Sequence, residues 1–198
     1  MLQKTESEVV RELEQLTEYI KQLHSNLDWI KRKRWNRSLP LEELLFDRWE
    51  RAKSLRFGEG SSIYHNSYIY GLDKLKVGKY VWIGPFTIID AGGGLTIGNY
   101  VSIASGVQIY THDSVKWALS EGREHYESAP TVIEDCCHIG AGSIVSKGVT
   151  IGAHSAIGAN SFVRKDVLPY SIMSGVPAMC VGKVIVNENG KVEYDFVM

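Results

Sequence analysis

Apolar positions follow one period up to about residue 57 and a different one beyond it. They begin at Val9, Leu13, Leu16, Ile20, Leu23, Leu27 and Ile30, with spacings that alternate four and three. That is a heptad seam sustained for about three heptads, and it predicts an amphipathic helix. Such a helix either packs on its own chain or forms a coiled coil between subunits. The e and g positions carry little pairwise complementary charge. KRKRWNR (31–37) reads as a solvated helix end and linker. Ser38 and Pro40 announce a second helix over LEELLFDRWERAK.

Beyond Gly58 the period is six. Apolar residues open hexads at Val77, Ile83, Ile89, Ile97, Ile103 and Ile109, and again at Ile133, Ile139, Val145, Ile151, Ile157 and Val163. Glycine often takes the second place, as at Gly78, Gly84, Gly98, Gly140, Gly152 and Gly158, where it is expected to permit the turn between faces. The fifth place is small or β-branched, as at Val81, Thr87, Cys137 and Ser143. A repeat of this length predicts a hexapeptide β-helix, with the first place filling the interior. Between Ile109 and Ile133 the period lapses, in a stretch that starts IYTHDSVKW. After Pro177, GKVIVNENGKVEYDF reads as a hairpin around an Asn-Gly turn signal.

The expected organisation is a helical region (1–57), a β-helix domain (58–185) with an extruded loop (113–126), and a C-terminal hairpin or tail (186–198). The helical region would cap the open end of the solenoid. A formal net charge of −1 gives no electrostatic support for nucleic-acid binding. No apolar run approaches the length of a transmembrane segment, and the opening MLQKTESEVVRE lacks a signal region, so a cytoplasmic location is expected. Cys136, Cys137 and Cys180 form neither a disulfide framework nor a CxxC pair, and Cys137 fills an inward place.

The run VIEDCCHIGAGSIVSKGVTIGAHSAIGANSFVRKDVLPYSIMSGVPA resembles the C-terminal signature of the hexapeptide-repeat acyltransferases, closest in pattern to the sugar and polysaccharide acetyltransferases. The resemblance covers about residues 60–185. It implies a mainly β fold, a left-handed parallel β-helix, and acetyl-CoA-dependent acyl transfer. It also implies a homotrimer with CoA held between subunits. The asparagine-rich coil of galactoside and maltose enzymes is replaced here by WIGPFTIIDAGGG. The pattern therefore points to acetylation of a sugar hydroxyl on a capsule, O-antigen or related glycan. Transfer to the amine of a nucleotide-linked amino sugar is the alternative. A metal-dependent hydratase would need closely paired histidines, which this chain lacks, so no metal is expected. A non-catalytic assembly module is the remaining reading.

Counting coils gives the histidine in THD a place. Three hexads make a coil, and coils stack about 4.8 Å apart. The two-residue insertion in DAGGGL sets Ile89 beneath Ile109, which brings Asp90 and Gly92–Gly94 close to His112. If residues 127–132 serve as one hexad, Ile139 stacks above Ile109, and the N–H groups of Gly140–Gly142 approach as oxyanion donors. THD also matches the point where related sugar acetyltransferases carry their base. An imidazole near its normal pKa suits proton removal from an acceptor at neutral pH. His112 is therefore the expected base and Asp90 its orienting carboxylate, with corner hydrogen bonding the plainer role for Asp90. Glu124 and Glu127 are alternatives from the loop. Trp82, Trp117 and His125 are candidates for the acceptor site. Carried over by position, the resemblance implies Ala141, Gly142 and Ala159 along the pantetheine arm, and Arg164, Lys165 and Lys183 at the CoA phosphates.

Overall fold

A computed structural model describes residues 5–45 and 47–197. The opening MLQK and Phe46 of the expected second helix lie outside them. The chain forms two compact units, Met1–Asp47 and Arg48–Met198.

In the first unit, helix α1 spans Glu6–Trp35 and is capped by a reciprocal box between Thr5 and Glu8. Asn36, in the left-handed conformation, ends it. The second helix predicted by the sequence is two short ones, α2 (Leu41–Leu45) and, in the second unit, α3 (Arg48–Ser54). Ser38 does not cap α2. Its hydroxyl lies 3.1 Å from Asp28 Oδ1 and turns back onto α1.

The second unit is a parallel β-helix with three faces. The first face stacks Ser62–Ile63, Trp82–Ile83, Ser102–Ile103, His138–Ile139, Ala156–Ile157 and Ser171–Ser174. The second stacks Tyr68–Tyr70, Ile88–Asp90, Gln108–Ile109, Ile144–Val145 and Phe162–Val163. The third stacks Leu75–Val77, Leu95–Ile97, Thr131–Ile133 and Thr150–Ile151.

Like residues stack on like, so Ile83 pairs with Ile103 and Ile103 with Ile139, all inside the prism. The hexad-opening residues from Ile83 to Val163 are at most 2% exposed. Each such aliphatic side chain contributes about 1.5–3 kcal/mol by leaving water. The polar members of the fifth place are satisfied at the corners. Ser143 donates to the Gly158 carbonyl at 2.9 Å and Thr87 to Gly84 at 3.1 Å. α3, counted in the sequence with region 1–57, packs on the first strand and buries Ala52 in the solenoid core.

The second-place glycines do not make the turns, as the sequence had suggested. Left-handed backbone falls at the fourth place instead, at Tyr80, Phe86, Tyr100, Cys136, His154 and Asn160, and at Gly106, Gly142 and Gly148. The second place needs glycine for close approach between coils. A Cβ on Gly140 would stand 2.5 Å from the backbone nitrogen of Ala159. At the far end, Ser171–Ser174 pairs antiparallel with Met179–Val186, which continues into Val192–Phe196 as the predicted hairpin.

Among the described residues, no helix is long and apolar enough to cross a membrane.

Candidate active site

The lapse in the period is an insertion at the corner between the second and third faces. Its base is a two-stranded antiparallel ribbon, His112–Asp113 against Glu127–Ser128. A short helix, α4 (Val115–Leu119), lies within it. The chain then re-enters the solenoid, where Thr131–Ile133 pairs directly with Leu95–Ile97. Residues 127–132 therefore do not form a hexad. This corrects the count made from the sequence: Ile139 stacks on Ile103, and Val145 stacks on Ile109. The coil next to His112 supplies Ser146 and Lys147 rather than Gly140–Gly142. The N–H groups of Gly140 and Gly142 are also committed, to the carbonyls of Ile157 and Ser105 at 2.8 and 3.0 Å. Neither is a free oxyanion donor.

On its other side His112 meets Asp90, with Nδ1 2.6 Å from Oδ2. Asp90 ends its strand on the coil below and is 2% exposed. The Thr111 N–H donates to Oδ2 at 2.8 Å and the Thr111 hydroxyl to the same atom at 3.1 Å. The Gly92 N–H donates to Oδ1 at 2.9 Å. Burial raises the Asp90 pKa, but the Thr111 and Gly92 N–H groups and His112 outweigh it and hold the carboxyl below its ordinary value. An ionised Asp90 at Nδ1 places the imidazole proton there and leaves Nε2 with its lone pair. The imidazole side chain is 47% exposed, so Nε2 is reachable.

The glycines of DAGGG make this approach feasible. Gly93 N–H donates to Thr111 Oγ1 at 2.8 Å, and a Cβ on Gly93 would fall on the Thr111 carbonyl. Thr111 is therefore gripped by the coil below while it orients Asp90.

A cleft of about 350 Å³ opens beside His112, lined by Tyr110, Ser114, Val115, Ile144, Ser146, Lys147 and Phe162 among others. Lys147 reaches across it to Asp113 and lies 3.2 Å from Glu127. Glu127 also takes Lys116 at 2.7 Å. The Lys147 ammonium beside Asp113 holds that carboxyl below its usual range, and Asp113 in turn raises Lys147. Sequence reading missed Lys147 because the miscounted coil placed it elsewhere. Charge at its third place, in line with Thr111, gave no distinct signal, because Lys79, Asp135 and Lys165 hold the same place in their hexads.

The remaining candidates divide by location. Trp117 lies on α4 and packs edge-on against Tyr126, with ring centroids 5.7 Å apart. His125 is exposed in the same insertion. Trp82 is exposed on the first face, in register with Ser62 and Ser102, and not on the corner that carries His112. Ala141, Gly142 and Ala159 are exposed along one edge of the second face, while Arg164 and Lys165 are exposed along the other edge. The outward side chains of Ile144 and Phe162 lie between the two edges. Lys183 sits apart, on the C-terminal strand beside Ser171. Cys137 is buried, and burial pushes its thiol up to about 11. Among the described residues, no group of three His, Cys, Asp or Glu side chains could hold a metal ion.

Residues 130–165 match the family described as bacterial transferase hexapeptide (six repeats). Galactoside O-acetyltransferase from Escherichia coli K12 is 37% identical over 99 residues, 50% of this chain and 48% of that protein. The Escherichia coli dTDP-4-amino-4,6-dideoxy-D-glucose acyltransferase is 29% identical over 149 residues, 61% of this chain and 78% of that one. A hexapeptide-repeat acetyltransferase from Vibrio cholerae, solved with acetyl coenzyme A, is 28% identical with a TM-score of 0.63, covering 84% of this chain and 87% of its own. The chain spans 44–48% of the length of several curated relatives it matches. The solenoid is the left-handed parallel β-helix of these proteins.

Proposed function

Starting from a hexapeptide-repeat chain whose relatives are acetyl- and acyltransferases, we propose that it transfers an acetyl group from acetyl-CoA to a sugar hydroxyl. The acceptor would belong to a capsule, O-antigen or related glycan, and the reaction would run in the cytoplasm. The observation that carries this reading is the 2.6 Å contact between His112 Nδ1 and a buried Asp90, with Nε2 left open beside the cleft.

In the proposed step, Nε2 takes the acceptor's hydroxyl proton as the oxygen attacks the thioester carbonyl. The tetrahedral adduct then collapses, the C–S bond breaks, and the proton passes from Nε2 to the departing thiolate as free CoA forms. A base so placed contributes about 10²–10⁴-fold in rate. Asp90 keeps the proton on Nδ1 and stabilises the imidazolium that forms.

The donor is assigned to the second face. Ala141, Gly142 and Ala159 of one subunit take the pantetheine arm, and Arg164 and Lys165 of the next, on the edge that also carries its His112, meet the phosphates. Lys183 joins them only from a neighbouring subunit, in the homotrimer that this reading includes. Trp117 and His125 contact the acceptor from the insertion. Trp82, on another face, does so only across a subunit interface.

A second reading is N-acetylation of a nucleotide-linked amino sugar. It is favoured by the long match to the dTDP-amino-sugar acyltransferase, of which 78% is covered. Thiol release from acetyl-CoA, screened over glycans and nucleotide sugars, tests both readings. Alkali then separates them, because an ester product is cleaved and an amide persists. No thiol release with any hydroxyl or amine acceptor would contradict both.

A further inference from the structure

Helix α1 displays its heptad seam to solvent except at Leu23 and Leu27, which are half-buried in the unit where α1 packs against α2. Val9, Leu13, Leu16, Ile20 and Ile30 are 42%, 57%, 53%, 39% and 37% exposed along a 30-residue helix. An apolar stripe of this period matches another helix of the same period, because only that keeps two seams in contact over several turns.

The charge along α1 says which helix. Residues 6–18 hold five glutamates and one arginine, while residues 19–34 hold five lysines or arginines and one aspartate. The helix dipole accounts for such a bias only within the first and last turns. Glu12, Glu14, Glu18 and Lys21 lie beyond those turns. Pairwise e and g positions offer little complementarity, but the two halves as wholes are opposite in sign. A parallel copy would set acidic half on acidic half and basic on basic. A reversed copy centred near residue 20 sets Glu6 and Glu8 of each helix alongside the basic run 31–34 of the other.

We propose that α1 pairs in antiparallel fashion with α1 of a second copy of this chain. The seam supplies the attraction, and the charge reversal near residue 19 supplies the orientation.

The full chain tests this by sedimentation equilibrium. Replacing Leu13, Leu16 and Ile20 with serine should halve the assembly mass. For the unmodified chain, raising salt from about 50 to about 500 mM should weaken the association, since attractive charges are screened. That measurement needs no variant and stands even if the serine variant loses its helix. Orientation is read with a short bismaleimide in a Cys136→Ser, Cys180→Ser background, where the remaining Cys137 is buried. Ile20→Cys, near the midpoint, should crosslink, whereas Leu13→Cys and Leu27→Cys should not. An unchanged mass in the serine variant, a fall to one third, or tighter association at high salt would overturn the proposal. So would crosslinking at all three positions, the parallel result.

Discussion

Asp90 and His112 stand 22 positions apart in the chain and 2.6 Å apart in space, because a two-residue insertion sets one coil's end under the next. The carboxylate is buried and gripped by three donor groups of Thr111 and Gly92. Replacing it with an amide keeps the shape and removes the charge that fixes the imidazole tautomer. Asp90→Asn is expected to lower kcat by about 10²–10⁴-fold with little change in KM for acetyl-CoA. Steady-state thiol release checks this.

The same carboxylate sets an acid limit on folding. Its pKa is lower folded than unfolded. Its contribution to stability is therefore full above the unfolded value, about 3.9, and is lost as pH falls through the folded one. Urea unfolding of the native protein should show stability falling below about pH 4, and Asp90→Asn should flatten that part of the curve.

Thr111 reaches the imidazole only through Asp90, which makes it a positioning residue. Thr111→Val removes one donor to Asp90 and orphans the Gly93 N–H. An unsatisfied buried donor costs about 1–3 kcal/mol, an upper bound for the partly buried Gly93 N–H, and urea unfolding reads the loss. If the hydroxyl also tunes the dyad, the pH at half-maximal kcat shifts and Thr111→Ser restores it. A purely structural role would leave the profile in place.

Lys147 ties both strands of the insertion's base to the solenoid through Asp113 and Glu127. Partly exposed, solvent-screened ion pairs of this kind contribute about 0–1 kcal/mol, so Lys147→Met should barely move the melting temperature. With the ribbon released beside the cleft, KM for the acceptor should rise several-fold while KM for acetyl-CoA stays the same.

Much of this arrangement was legible in the sequence, for a physical reason. The prism interior admits only apolar residues at every sixth place, so Ile83, Ile103 and Ile139 announced their own stacking. The insertion in DAGGGL was also countable, which put Asp90 near His112. The count failed where the chain left the period. Nothing in residues 110–130 states that Thr131 pairs with Leu95 directly, since ribbon and helix formation there depend on tertiary contacts. The error moved Gly140–Gly142 onto His112 and hid Lys147. The glycine pattern was misread for a related reason. Second-place glycines answer to the neighbouring coil at Ala159, which no local rule can see, while Asn160 and Gly142 at the fourth place were the true turn signals.

The most direct test of the account is His112→Ala, assayed with an accepted sugar while acetyl-CoA binding is followed by calorimetry. The predicted result is unchanged donor affinity with kcat lowered by about 10²–10⁴-fold. Near-full turnover by the alanine variant would contradict His112 as the base.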